Sequence, residues 1–388
     1  MNQIKKIFFF VLGLLLVSIT LFRFIVPPWI AWDKNRVEFS PPYSISTESQ
    51  QFYHSLTIAD LHADTLLWGR NILNRSSFGH IDVPRLIDTN VALQVFSVVT
   101  KTPKGLNIKI NNDKSDNITL LALAQGWPWK SLGSLNERAL YQAQQLKVFA
   151  DESGGQLTII KSREDLENHL SLRKQNNSLV AGILSLEGAH ALEGDLQNLT
   201  KLYDAGYRLI GLTHFFDNEV GGSAHGLDKN GLTEFGRKVI EQAQNNHMLI
   251  DLSHASSKLI SDVINITTQP VIVSHTGVKG TCDRSRNLTD EQIRTVAATG
   301  GLIGIGFWPI AVCGKTVKDI ARAARYAKDI AGIEHIALGS DFDGAVSLPF
   351  DVTGLPLLIE VLQKEGFSER EIRLFMGENI VNFFMKTL

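Results

Sequence analysis

Seven side chains suited to holding metal ions or moving protons stand where short apolar runs end. Two of them, His62 and Asp64, lie in Ala59-Asp60-Leu61-His62-Ala63-Asp64-Thr65, after the run Leu56 to Leu61. If that run is a buried strand, residues two apart share a face, so an imidazole and a carboxylate emerge side by side at its end. Both are good ligands for a divalent metal such as zinc. The other five, Glu187, His214, His254, His275 and Asp341, each follow a run of their own. Any one of them alone reads as an ordinary polar cap, but four of the chain's 11 histidines at strand ends make that reading poor for the set. Three histidines and two carboxylates suffice for two divalent metals if one carboxylate bridges them. Such a pair would polarise a carbonyl and generate hydroxide near neutral pH. Nitrogen and oxygen ligands without thiolate suit zinc, with manganese or cobalt as substitutes.

The elements that must position these groups alternate regularly. Strands are expected at Leu56–Leu61, Val91–Val99, Val180–Leu186, Tyr207–Thr213, Met248–Ser253, Pro270–Ser274, Gly301–Phe307 and Ile336–Ser340. Helical spacing lies between them, at 196–205, 233–246, 258–264, 289–298 and 317–331. Two closing helices are expected at 354–365 and 368–376. Eight strands alternating with helices predict an α/β fold closed into a (β/α)8 TIM-like barrel, whose strand ends share one rim. The crossover between the second and third strands resists a clear reading. It contains an Asn/Lys/Asp-rich excursion, 101–116, helical spacing at 135–150, and a capping box (Ser162 and Asp165) opening a helix over 163–173.

The chain has 388 residues, 44% hydrophobic and 20% charged, with a net charge of −2. This is a globular composition, and it offers no basic surface for a nucleic-acid partner. Two cysteines, Cys282 and Cys313, cannot build a cysteine-rich zinc site. At the N-terminus, Lys5 and Lys6 precede the apolar stretch 7–26, interrupted only by Arg23. As a helix this stretch would span roughly 30 Å, enough for a bilayer core. Trp29 and Trp32 follow at interfacial level. No small-residue cleavage site follows, so an uncleaved anchor is favoured over a signal peptide. The expected organisation is a cytoplasmic start (1–6), a transmembrane helix (7–26), a proline-bracketed tether (27–47) and an exported barrel (48–388) on the periplasmic or extracellular side. In that compartment the two cysteines can pair.

The motifs DLHADT (60–65), SLEGAH (185–190), GLTH (211–214), IDLSH (250–254), VSHT (273–276), SRN (285–287) and GSDFDG (339–344) occur in this order. In this set the chain resembles the membrane (renal-type) dipeptidases, the M19 family of zinc metallopeptidases among the amidohydrolase-like barrels. The resemblance covers nearly all of the exported part. It implies two zinc ions per chain, His62 and Asp64 on one, His254 and His275 on the other, and Glu187 bridging both. A bridging water would then be the nucleophile. His214 would stabilise the oxyanion, and Arg286, otherwise read as a solvated charge, would grip the substrate's terminal carboxylate. Asp341 would relay a proton to the leaving amine. Cys282 and Cys313 fall where exported mammalian relatives place a disulfide. Family members are often dimers, though no surface stretch here indicates a homodimer independently. Two departures stand out. Mammalian relatives carry a C-terminal lipid anchor, whereas this chain ends Phe383-Phe384-Met385-Lys386-Thr387-Leu388, and 101–155 does not resemble the family. The implied activity is hydrolysis of dipeptides, including those with a D-residue second. The alternatives are another amidohydrolase activity, on a lactam or N-acyl amino acid, and a non-catalytic binding barrel.

Overall fold

The structure is a computed structural model and describes residues 3–388. It opens with one helical rod. α1 (Gln3–Thr20) runs through a π-helical turn, Leu21–Ile25, into α2 (Val26–Lys34). A short α3 (Thr47–His54) then leads to β1 (Ile58–Ala63), α4 (Val83–Asp88) and β2 (Val91–Val99). The crossover that the sequence left unclear holds α5 (Ile118–Gln125), α6 (Leu135–Glu152), a short strand β3 (Leu157–Ile159) and α7 (Arg163–Arg173). Regular alternation follows: β4 (Val180–Glu187), α8 (Leu196–Ala205), β5 (Tyr207–Gly211), α9 (Glu234–Asn245), β6 (Leu249–Asp251), α10 (Ser257–Ile264), β7 (Ile272–Thr276), α11 (Asp290–Ala298) and β8 (Leu302–Ile305). The chain ends with α12 (Pro309–Val312), α13 (Val317–Ala331), β9 (Ile336–Leu338), α14 (Leu357–Lys364), α15 (Glu369–Arg373) and α16 (Asn379–Thr387).

Eight strands pair in parallel in the order β1-β2-β4-β5-β6-β7-β8-β9, with β3 attached to β4. A bridge between Ala63 and Phe342 brings the two ends together, and the Asp64 amide donates to the Phe342 carbonyl at 2.9 Å. The result is the nearly closed, TIM-like barrel expected from the alternation. Strands buried on both faces explain the near-continuous apolar runs, such as β2, whose nine residues are all buried, only Gln94 and Ser97 among them being polar.

One apolar cluster receives residues from every barrel strand, including Ala59, Leu61, Leu93, Val95, Ala181, Ile183, Leu209, Leu249, Ile272, Leu302 and Ala337. It is the barrel interior. Ile380, Phe383 and Phe384 of α16 join it and close one end. Following the same alternate rows away from α16, the side chains turn polar: Ile183 gives way to Ser185 and Glu187, Leu249 to Asp251, Ile272 to Ser274, and Ala337 to Gly339 and Asp341. Polar chemistry therefore collects at the end opposite the apolar floor.

Two local expectations are corrected. Residues 27–47, read as a tether, are in good part structured: Pro27 and Ala31 of α2 are buried, and Glu38 and Phe39 donate backbone hydrogen bonds to Leu348 and Pro349. Apolar contact and strand-like pairing hold this segment to the barrel. The capping box at Ser162 is only half formed. Its hydroxyl accepts from the Asp165 amide, but the Asp165 carboxylate accepts from Lys161, one residue too early to close the box.

Candidate metal centre

Each site residue is delivered by a strand end. His62 lies within β1 and Asp64 just beyond it, Glu187 ends β4, and His275 lies within β7, while His214, His254 and Asp341 each stand three residues past β5, β6 and β9. His254 and Asp341 both adopt left-handed backbone, φ 62° each. For residues with a Cβ this costs about 1–2 kcal/mol and is retained where the surroundings demand it. All seven are buried.

The centre is organised on one oxygen. Glu187 Oε1 lies 3.1 Å from His254 Nε2, 3.5 Å from His275 Nε2, and 3.6 Å from both His62 Nε2 and His214 Nε2. Asp64 Oδ1 lies 3.5 Å from His62 Nε2. Three overlapping groups could each hold a metal ion: His62 with Glu187 and His275, Glu187 with His214 and His254, and His62 with Asp64 and Asp341. These groups cut across the division expected from the family resemblance, because His62 and Glu187 are shared and His214 stands among the ligand atoms.

The donor set fits a cation. His254 and His275 bring their Nε2 atoms to 3.0 Å, where two lone pairs would repel unless a proton or metal lies between. His62 Nε2, Asp64 Oδ1 and Glu187 Oε2 are buried without a hydrogen-bond partner. Polar atoms are seldom left so, since desolvation without compensation costs about 1–3 kcal/mol. Burial pushes the Glu187 carboxyl up to about 7, and the Asp64 charge adds to this. Burial also raises Asp341 well above the carboxylate range. The imidazoles of His214, His254 and His275 are driven down by burial first, so they stay neutral. At His62 burial acts downward too, but Glu187 and Asp64 outweigh it and raise it. A cation held among them would offset this burial and let both carboxylates ionise.

Behind the ligands lies a hydroxyl network that the strand-end rule missed. Ser274 Oγ sits 3.0 Å from His62 Nδ1 and 3.1 Å from His275 Nδ1, and 3.1 Å from Ser253 Oγ. Accepting from both Nδ1–H groups, it leaves both Nε2 lone pairs facing Glu187. Asp251 holds this layer by accepting from the Ser253 and Ser274 amides. The signal was present: Asp251 and Ser274 continue the inner rows of β6 and β7.

Arg286, read from its neighbours alone as a solvated charge, is buried. Its Nη2 donates to the His275 carbonyl at 3.2 Å and reaches His254 Nε2 at 3.3 Å, while its carbon lies 4.6 Å over the Trp308 ring. Its Nε and Nη1 have no partner. Burial lowers this guanidinium to about 10, which still leaves it charged at neutral pH. Cys282 and Cys313 form a disulfide beside it, and Asn287 donates to the carbonyls of Cys282 and Ala311. His225 also enters the site, 5.3 Å ring to ring from His254, with Nδ1 at 2.8 Å from the Ile108 carbonyl. No spacing flagged it, because it comes from a loop rather than a strand end.

Residues 47–387 match the family model described as Membrane dipeptidase (Peptidase family M19). The chain belongs to this family. Among relatives of the M19 chain, an uncharacterized protein in the pqqA 5′ region of Klebsiella pneumoniae is 34% identical over 250 residues, 60% of this chain and 90% of that protein. An uncharacterized dipeptidase of Schizosaccharomyces pombe is 31% identical over 226 residues, 55% of this chain and 54% of that protein, so the chain spans about half that relative's length. The crystal structure of dipeptidase AC, a family M19 metallo peptidase, aligns at TM-score 0.68 and 25% identity, over 86% of this chain and 99% of that one. As an M19 member the chain is a peptide-bond hydrolase, and the family's metal dependence accords with the clustered ligands.

Proposed function

We propose that this M19 chain is a two-zinc dipeptidase. Glu187 would hold both ions, with His62 and Asp64 on one and His254 and His275 on the other. The observation that carries this reading is the Glu187 oxygen set within 3.1 to 3.6 Å of four imidazole nitrogens. When bound, such a pair polarises a carbonyl and makes water acidic enough to attack it near neutral pH.

The chain's own residues do the rest. His214, neutral through burial, presents N–H to the carbonyl oxygen as negative charge builds there. Asp341, across the cluster, accepts the proton of the attacking water and returns it to the departing amine. Arg286 offers its two unpartnered donors, Nε and Nη1, to the substrate's terminal carboxylate, held in plane by Trp308. A buried cation that needs a free carboxylate selects substrates ending one residue past the scissile bond, hence dipeptides. It contacts the carboxylate and not the side chain, so a D-residue in that position is accepted. The apolar helix Gln3–Lys34 is long and apolar enough to cross a membrane, and we read it as the anchor, with the barrel on the exported side.

The test is to strip metal from the protein, add zinc back, and follow amino-acid release from L-L and L-D dipeptides and from their C-terminal amides. Hydrolysis that returns with zinc and is lost on amidation supports the reading. Equal hydrolysis of the amides, or of N-acyl amino acids lacking a free α-amine, would overturn it.

A further inference from the structure

The anchor helix does not leave the barrel on a free strand. Its last turns pack into it at the catalytic rim. Ala31 and Ile30 of α2 share an apolar cluster with Leu67 and Trp68, which follow Asp64 almost directly, with Val99 at the end of β2, and with Ile118, Leu121 and Ala122 of α5. Val99 pairs in register with Glu187. Gln125 at the end of α5 donates to the Leu67 carbonyl at 3.0 Å. Arg23, the single charge within the apolar stretch, lies against Gly126 so closely that a Cβ there would collide with its guanidinium.

Helix length then sets the depth. From Ile7 to Val26 the rod rises roughly 30 Å, about the thickness of a hydrocarbon core. Arg23 and the α2–α5 contact therefore fall at the membrane surface. The outer face of α5 is wrong for water at that place. The helix ITLLALAQ carries no charge, and its outward leucines Leu120 and Leu123 are 57% and 39% exposed. Trp129, just beyond, is 81% exposed, with Lys130 next to it. Leucines, a tryptophan and a lysine beside an emerging helix are the composition of an interfacial contact.

We propose that α5 and Trp129 dock into the leaflet from which the anchor emerges, so that the barrel rests on the bilayer with its catalytic rim toward it. The proposal rests on reading α1 as a membrane anchor. It gives the excursion after β2 a job, and it places the mouth of the metal centre beside the headgroups.

The test uses the full chain in phosphatidylcholine vesicles containing doxyl-labelled phosphatidylcholine. Its two cysteines are disulfide-bonded, so an introduced cysteine takes a single fluorophore. Leu120→Cys, Leu123→Cys and Trp129→Cys are compared with Leu15→Cys on α1 and with Leu172→Cys on α7, near the floor closed by α16. All five sites are exposed, so folding is not at stake. Loss of fluorescence to doxyl lipid at 120, 123 and 129 comparable to that at 15, with none at 172, is the expected result. Quenching at 15 but not at 120 and 123 would overturn the docking and leave the anchor standing. Quenching at none of them would remove the anchor and the docking together. Shielding from aqueous iodide at 120 and 123 that follows protein density rather than lipid would mean that a second copy covers the face, and would also overturn the docking.

Discussion

Asp341 and Asp343 are two residues apart in one loop, both buried and both left-handed in backbone, φ 62° and 60°. They live in opposite environments. Asp341 faces the carboxylates of Asp64 and Glu187, and burial leaves it well above the usual carboxylate range. Asp343 faces away, into a lattice of donors. Thr65 Oγ1 donates at 2.8 Å and the His80 amide at 2.6 Å, Arg70 closes a tight ion pair, and the Asp343 amide in turn donates to His80 Nδ1. Burial works against its ionisation, but the Arg70 charge and these hydrogen bonds prevail and hold it low. One aspartate is fully satisfied and ties the loop down. The other stands with His62 and Asp64 in a group that could hold a metal ion, a placement suited to chemistry. The family resemblance assigns the proton relay to the first aspartate, and the two carboxylates differ in their partners.

The largest effect is expected from Asp341→Asn. If it relays the proton, kcat falls by about 10²–10⁴-fold while the melting temperature barely moves. Asp343→Asn should do the reverse. It leaves the buried carboxylate site uncharged and the part-buried Arg70 without its partner, at a cost of about 3 kcal/mol in denaturant unfolding, with far less effect on kcat per folded molecule. Equal effects of the two substitutions on kcat and on stability would erase the distinction.

A smaller effect is expected from Ser274→Ala, which removes the hydroxyl shared by His62 and His275. Zinc affinity, read by chelator competition, should weaken by about 10–100-fold, with Ser274→Thr retaining more of it. Unchanged affinity would make Ser274 a packing residue only.

The smallest concerns a histidine outside the centre. His169 is held down to about 4, by burial first and then by the Arg173 charge, with its Nε2 at 3.2 Å from the Ala92 carbonyl. The unfolded chain takes up this proton near the ordinary histidine value, before the fold can. Stability is therefore full above about 6.5 and declines as pH falls toward 4. His169→Gln should flatten that decline in thermal melts between pH 7 and pH 5. An unchanged slope would show that His169 already protonates in the folded chain.

Much of this was legible in the residues because a parallel barrel writes itself as repeated apolar runs with its chemistry at the run ends. His62, Glu187, His254, His275 and Asp341 were all found by that rule, and the barrel places them together. What the rule lacks is any view of contacts made across the fold. Arg286 looks solvated from its neighbours Ser285 and Asn287, and only Trp308 and the His275 carbonyl, brought in from later and earlier strands, bury it. The segment 27–47 looked like a tether because prolines and polar residues say nothing of a partner, yet Ala31 finds one in α5. His225 belongs to a loop whose course is set by the Ile108 carbonyl and not by its own periodicity.

Glu187 is proposed to be shared by a pair of metal ions. Anomalous diffraction at the zinc edge, from crystals of the protein grown with zinc, tests it most directly. Two peaks about 3.5–4 Å apart, both within bonding distance of Glu187, are the expected result. A single peak, or two peaks with Glu187 on neither, would contradict the account.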